Sequence, residues 1–232
     1  MNIFPENIKA VLFDMDGVLY DSMKNHADTW VGSFRRSGID FKPEEAYMNE
    51  GRTGNGTISL TYKKYLNREA TEEEKEAIYR EKVRLMADAP EAGIYPGMQE
   101  LVEKLRKSGI ECLVVTGSRQ PTLLGKLKND FGFESDQIVS GHDVKKGKPH
   151  PEPYLIALQR SGHKNSECVV IENAPLGIQS AKCAGIYTIA VNTGILDDKV
   201  LVKAGADELY HDAKELSERL LGAFKDVGEN KR

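Results

Sequence analysis

Two aspartates, Asp14 and Asp16, close an apolar run in VLFDMDGVLYDS, residues 11–22. In extended backbone, side chains two residues apart point to the same side, about 7 Å from one another. Like charges so placed repel unless a cation lies between them, and paired oxygen donors suit a hard divalent ion. A plain polar turn accounts for the same residues, because Asp and Gly17 both favour turns. Three further loci share the pattern of polar residues behind an apolar run. Thr116-Gly117-Ser118 follow CLVV (112–115), and Glu172-Asn173 follow CVVI (168–171). Lys148 lies in GHDVKKGKPHPEPY, after the short run QIVS (137–140). Together the loci offer carboxylates, a carboxamide, a hydroxyl and an ammonium. The oxygens suit Mg²⁺, and the hydroxyl and lysine suit phosphate oxygens.

Such residues can act together only if the fold brings them to one edge. The runs AVLF (10–13), CLVV, CVVI and TIAV (188–191) are continuous and rich in β-branched residues, which fits strands buried on both faces of a parallel sheet. Helical patterns separate them. Met98, Leu101, Val102 and Leu105 repeat at helical spacing before Ser108-Gly109, and PEPYLIALQRSG (151–162) and PLGIQSAKCAG (175–185) start and stop in the same way. Strand and helix alternation implies an α/β, Rossmann-like, doubly wound parallel sheet. Ligands of such sheets bind outside the carboxyl ends of the strands, where all four loci lie.

Residues 21–93 read differently, with no buried-strand run. Four helices are expected, at 22–36, 43–49, 57–65 and 71–87. Thr71-Glu72-Glu73-Glu74 opens the last as a capping box, and Tyr79, Val83 and Met86 form its apolar stripe. DAPEAGIYPG (88–97) reads as the return linker. The organisation is therefore a core at 1–20 and 94–232 with an all-α helical cap at 21–93.

Composition bounds the partners. The 232 residues are 40% hydrophobic and 29% charged, with a formal net charge of −4, which is ordinary for a globular chain. No basic block favours nucleic acid or an anionic membrane. No signal-like segment and no membrane-length apolar run stands in the sequence, so a cytoplasmic location is expected, with no obligate protein partner evident. Cys112, Cys168 and Cys183 have no CxxC spacing and are expected as buried, reduced thiols. GHDVKKGKP is one residue too long for a P-loop, and Pro149 stands where Ser or Thr must be.

Asp14-Met15-Asp16-Gly17-Val18, Thr116, Lys148 in GKPHPEPY and Glu172-Asn173 resemble the four ordered motifs of the haloacid dehalogenase (HAD) superfamily of phosphotransferases. Residues 21–93 are similar to its C1 cap. DSMKNHADTW, with His26 and Trp30 one turn apart, is similar to the β-phosphoglucomutase-like branch. The resemblance implies that Asp14 attacks phosphorus as a nucleophile and that Asp16 serves as general acid and base. It implies that Thr116 and Lys148 bind phosphoryl oxygens, and that Asp14, the Asp16 carbonyl and Asn173 hold Mg²⁺ with Glu172 beside them. Gly117, Ser118, Arg119, His26, Glu50 and Arg52 would contact substrate, a small phosphorylated metabolite.

Two departures mark this chain. Asn173 stands where the family usually has Asp, and Glu50, in AYMNEGRTGNG, stands where the mutase has lysine. EGRTG and IENAPLG also resemble a branch that hydrolyses inorganic pyrophosphate, so that a cap carboxylate could make up the charge missing at Asn173. Ser118-Arg119-Gln120 occupies the mutase's second phosphate grip and suits a bisphosphorylated sugar equally. The expected activity is Mg²⁺-dependent phosphohydrolysis through an aspartyl phosphate. β-Phosphoglucomutase-type transfer is the alternative among enzymes, and a phosphate-binding module without turnover the alternative outside them.

Overall fold

The computed structural model describes residues 7–119 and 121–229, with side chains described for 7–119 and 125–223. Six parallel strands form one sheet: β1 (Ala10–Phe13), β2 (Glu111–Val115), β3 (Ile138–Val139), β4 (Cys168–Glu172), β5 (Tyr187–Val191) and β6 (Glu208–Tyr210). Their order is β3-β2-β1-β4-β5-β6. The chain winds outward in both directions from β1, so the crevice of a doubly wound sheet falls between β1 and β4. Phe13 is in register with Val114 on one side and Ile171 on the other. That register carries Asp14, Thr116 and Glu172 to the same rim.

Alternation along β1 builds two cores. Val11 and Phe13 face one layer, packed with Met98, Leu101 and Leu105 of α5 (Met98–Lys107) and Leu216 and Leu220 of α10 (Ala213–Glu229). Ala10 and Leu12 face the other, packed with Tyr154 and Ala157 of α7 (Glu152–Ser161) and Ala181 of α8 (Pro175–Cys183). Burial on both faces is why the strands read as unbroken apolar runs. The strand expected at 137–140 shortens to two paired residues, and β6, which has only three residues and one buried side chain, lacks the run that would have announced it.

The cap is all-helical: α1 (Met23–Arg35), α2 (Pro43–Met48), α3 (Gly54–Leu66) and α4 (Glu72–Ala87). Trp30, Phe34 and Phe41 stack at its centre, with centroids 5.5 and 4.7 Å apart. The capping box of α4 forms as expected: Glu74 N donates to Thr71 Oγ1 at 3.3 Å and Thr71 N donates to Glu74 Oε2 at 2.8 Å. The apolar stripe forms only in part: Tyr79 packs against the cap's apolar cluster. Val83 is 38% exposed, and the buried face of α4 is Ile78 and Lys82, one residue earlier in the helical turn. A lysine occupies that face because it points into an internal polar chamber and not into the apolar centre of the cap.

The two linkers pair with one another. Asp21 N donates to the Gly93 carbonyl, Tyr95 N to the Leu19 carbonyl, and Tyr20 bridges Ile94 in antiparallel fashion. The cap leans on the core through Tyr47, which approaches Gly194, and through Leu196, which joins the cap's apolar cluster. Cys112 and Cys168 are buried, whereas Cys183, on the outer side of α8, is exposed, against expectation. Among the described residues no helix is long and apolar enough to cross a membrane.

Candidate active site

Parallel register delivers a buried ion cluster to the crevice. Lys148 Nζ donates to Asp14 Oδ1 at 2.5 Å, to Glu172 Oε1 at 2.6 Å and to the Val115 carbonyl at 3.0 Å. All three charged groups are almost wholly covered: Asp14 is 5%, Lys148 3% and Glu172 1% exposed. Glu172 is engaged on every side. Tyr154 Oη donates to its Oε1 at 2.6 Å, and the amides of Asn173 and Ala174 donate to its Oε2. It therefore secures Lys148 directly.

Charge in this cluster does not balance. Burial drives Asp14 well above the ordinary carboxylate value, against the pull of Lys148, while Glu172 and Asp16 push it further up. Lys148 moves upward too, because Asp14 and Glu172 outweigh its own burial. One ammonium thus serves two buried carboxylates, with Asp16 adjacent. The net negative charge would suit a cation, and oxygen donors that could hold one are present. Asn173 Oδ1 is buried without a hydrogen-bond partner, a costly arrangement unless something else binds it. The Asp16 main-chain carbonyl accepts no backbone hydrogen bond among the described residues. Gly17 has φ +86°, and a Cβ there would come within 1.9 Å of Asn173 Nδ2, so the close approach of these two loops requires glycine. No cluster of three His, Cys, Asp or Glu side chains fit to hold a metal stands among the described residues. The donor set is mixed: one carboxylate, one amide oxygen and one carbonyl, all hard oxygens of the kind that bind Mg²⁺.

Asp16 is organised from the cap side. Ser22 Oγ donates to Asp16 Oδ1 at 2.6 Å, and His26 Nε2 lies 3.3 Å from the same oxygen. Burial by itself would raise this carboxyl, but His26, Ser22 and Lys82 outweigh it and hold it below its ordinary value. The two aspartates of the first motif therefore titrate in opposite directions, the separation expected of a pair with distinct roles.

Cap and core enclose a polar chamber of about 60 Å³. Asp16, Gly117 and Ser118 line it from the core side, and His26, Trp30, Glu50, Arg52, Tyr79 and Lys82 from the linker and cap. Burial lifts the Glu50 carboxyl, opposed by His26, Lys82 and Lys148, and burial lowers the Lys82 ammonium, opposed by Glu50 and Asp16. Thr116 is buried at the end of β2 and its Oγ1 accepts from Ser118 N at 3.0 Å. Gly51 adopts φ +82°, and a Cβ there would come within 2.7 Å of Lys148 Cδ. The cap loop rests on the stem of that lysine.

The structure thus brings Asp14, Asp16, Thr116, Lys148, Glu172, Asn173, Gly117, Ser118, His26, Glu50 and Arg52 to one place. Arg119 is the exception: it is exposed, and its Nε donates to the Gly141 carbonyl at 2.8 Å, outside the chamber lining. Gln120 of the same expected grip lies outside the described residues. Sequence reading missed Lys82 and Tyr154. A lysine one turn after Ile78 on the buried face of α4 was the available signal for the first, and the tyrosine inside GKPHPEPY for the second.

This crevice, with its acid pair, clamped lysine and overhanging cap, is the arrangement of a phosphoryl-handling α/β enzyme. The haloacid dehalogenase-like hydrolase profile matches residues 8–185, and the chain belongs to that family. It is similar to the solved structure of a putative beta-phosphoglucomutase from Bacteroides vulgatus, 47% identical with a TM-score of 0.88, over 94% of this chain and 91% of that one. Hexitol phosphatase A of Escherichia coli (strain K12) is 33% identical over 79% of this chain and 83% of its own. The beta-phosphoglucomutase of Bacillus subtilis (strain 168) is 28% identical over 88% and 95%. An enzyme of the phosphatase and phosphomutase type is thereby established.

Proposed function

We propose that the protein is a Mg²⁺-dependent phosphohydrolase of a small phosphorylated metabolite, a sugar phosphate or inorganic pyrophosphate, acting in the cytoplasm without an obligate protein or nucleic-acid partner. One observation carries the reading: Lys148 is clamped between Asp14 and Glu172 while Asn173 Oδ1 beside them has no partner. Mg²⁺, held by Asp14, the Asp16 carbonyl and Asn173, would screen the negative charge that otherwise keeps a phosphate dianion from a carboxylate.

The chain's own residues supply the rest. Asp14 Oδ attacks phosphorus and carries the phosphoryl group as an acyl phosphate. Thr116 and Lys148 hold the equatorial oxygens as charge shifts onto them. Asp16, ionised in the free protein through His26 and Ser22, takes up a proton as the dianionic substrate enters. It gives that proton to the leaving oxygen, and then accepts one from the water that opens the acyl phosphate. Glu172 and Tyr154 keep Lys148 in place throughout. A cap sealed over bound substrate would exclude bulk water from this chamber and strengthen each of these interactions.

Substrate size follows from the chamber. Its volume is small and its lining polar, with Glu50, Arg52 and Lys82 all reaching it from the cap, so a compact, highly charged substrate is favoured and a protein substrate is not. Pyrophosphate suits a wall that presents both a carboxylate and two cations, because its metal chelate carries both signs. Mutase chemistry is a second reading, favoured by the likeness to the putative beta-phosphoglucomutase at 47% identity.

Phosphate release with Mg²⁺ should be measured across pyrophosphate, hexose phosphates and an aryl phosphate, with Asp14→Asn as the blank. Turnover lost in the blank supports the reading. Isomerised sugar phosphate without free phosphate would move it to the mutase. Metal binding with no turnover of any of them would leave only a binding module.

A further inference from the structure

A second cavity, of about 510 Å³, opens on the solvent side of the seam between cap and core. Arg52 lines both this groove and the inner chamber. At the seam itself the cap loop Gly51-Arg52-Thr53 lies against Gly147 and Lys148: a Cβ at Gly147 would come within 3.2 Å of Thr53 Cγ2. Beyond it the groove is walled by Arg52 from the cap and by Lys145, Lys146 and His150 from the core.

Cation pairing in the cap is mixed, and Arg35, Lys63 and Arg80 have no ion pair among the described residues. Lys24, Lys64, Arg68 and Arg84 each pair with a carboxylate. Among the described residues, the side chains of Arg52, Lys145 and Lys146 have no ion pair, and the one hydrogen bond of the Arg52 guanidinium is to Asn49 Oδ1 at 3.1 Å. The nearby carboxylate is Glu152. It accepts from the amides of Lys145 and Lys146 at 2.7 and 3.1 Å and lies 3.9 Å from His150 Nδ1. Three fixed cations therefore face one carboxylate already occupied by backbone donors, on a chain whose net charge is −4. The groove thus offers an incoming anion cations from both sides of the seam that no carboxylate already holds.

We propose that this groove is an outer anion subsite: it takes a phosphate group lying beyond the inner chamber and clamps it between Arg52 of the cap and Lys145 and Lys146 of the core. That the anion is a phosphate rests on the phosphohydrolase reading above. The group is either the far end of an elongated substrate, such as a linear polyphosphate threaded past Arg52, or a free phosphate ion. In both cases it touches both sides of the seam, and so favours the closed cap by the difference in its affinity for the closed and open arrangements.

The test is equilibrium binding by calorimetry to the full chain in Mg²⁺ buffer, with Asp14→Asn present throughout so that nothing turns over. Tripolyphosphate and pyrophosphate are titrated into that protein and into the same protein carrying Lys145→Gln and Lys146→Gln, two exposed positions outside the chamber. If the far end of a substrate occupies the groove, tripolyphosphate binds about tenfold tighter than pyrophosphate, and the double substitution removes that advantage while moving pyrophosphate less than about twofold. If a free ion does, inorganic phosphate titrated into the pyrophosphate-loaded protein shows a second binding event that the double substitution abolishes. Equal weakening of both long and short ligands, which is long-range attraction alone, or no change in any titration, overturns the subsite. Thermal unfolding of the double variant, expected within about a degree of its parent for exposed substitutions, verifies that the fold is intact. None of these readouts depends on turnover, so absence of activity in the phosphate-release assay is a separate result.

Discussion

Tyr154 and Lys148 share one acceptor: both donate to Oε1 of Glu172, each at 2.6 Å. The tyrosine sits on α7 and the lysine in the loop before it, so one stretch of chain supplies both grips on a carboxylate from β4. The ammonium also lies 5.3 Å from the tyrosine ring centroid, within cation–π range. Tyr154→Phe keeps the ring and removes only the hydroxyl. A buried hydrogen bond to a charged acceptor is worth about 1.5–3 kcal/mol, so denaturant unfolding should show a loss of that order. Turnover should fall several-fold with little change in KM, because the lysine is loosened and not lost.

Asp14 should make the metal-free protein less stable as pH rises. Its carboxyl is raised in the folded state, while the unfolded chain titrates near the ordinary value of about 4. Between those two values the native state holds a proton that the unfolded state has released, so stability declines with increasing pH across that window and is fully retained below it. Asp14→Asn removes the group. The variant's stability relative to wild type should therefore rise from pH 4 upward, by an amount on the order of 1 kcal/mol or more. Saturating Mg²⁺ should narrow the gap, as a ligand that binds only the folded state stabilises it. A pH-independent difference between the two proteins would count against the charge imbalance.

Asn173→Ala deletes the unpartnered Oδ1. The Mg²⁺ concentration for half-maximal activity should rise about tenfold or more, with metal-free stability unchanged or slightly higher because an orphaned buried acceptor is gone. Chelation of Mg²⁺ from the wild type should abolish phosphate release. Glu50→Gln tests whether the cap carboxylate assists at the same ion: an unchanged Mg²⁺ dependence together with unchanged turnover would rule that out.

Lys82→Met separates binding from folding. The ammonium is buried on α4, and its own burial outweighs the support of Glu50 and Asp16. Methionine fills similar space beside Trp30 without the desolvation cost. The unfolding midpoint should hold or rise, while KM for an anionic substrate should increase about tenfold or more. A fall in stability with KM unchanged would make Lys82 a structural cation of the cap.

Gly51→Ala examines cap closure. The position has φ +82°, and its new methyl would meet Lys148 Cδ at 2.7 Å. Strain in the left-handed region costs about 1 kcal/mol, and the clash is relieved when the cap lifts. The expected result is a loss in kcat/KM well beyond the loss in stability, seen by comparing single-turnover rates with unfolding midpoints.

The sequence by itself determined the sheet and the run of helices between its first two strands, and it singled out the polar residues that the fold gathers at the crevice. Strands buried on both faces must be continuous apolar runs, and so AVLF, CLVV, CVVI and TIAV declared themselves, as did the four cap helices through their periodicity and caps. Short elements escaped: β6, with two of its three residues only half buried, has no signal of its own. What only the tertiary structure decided are the relations across the seam. Which face of α4 turns inward depends on a polar chamber built jointly with the core, so Lys82 is buried where Val83 was expected. Whether Arg119 faces the chamber or Gly141, and whether Glu172 is free or fully engaged, depends on partners 22 and 24 residues distant. Hydrophobic periodicity records how each segment meets the core, but charged groups are placed by balancing burial against neighbours drawn from anywhere in the chain.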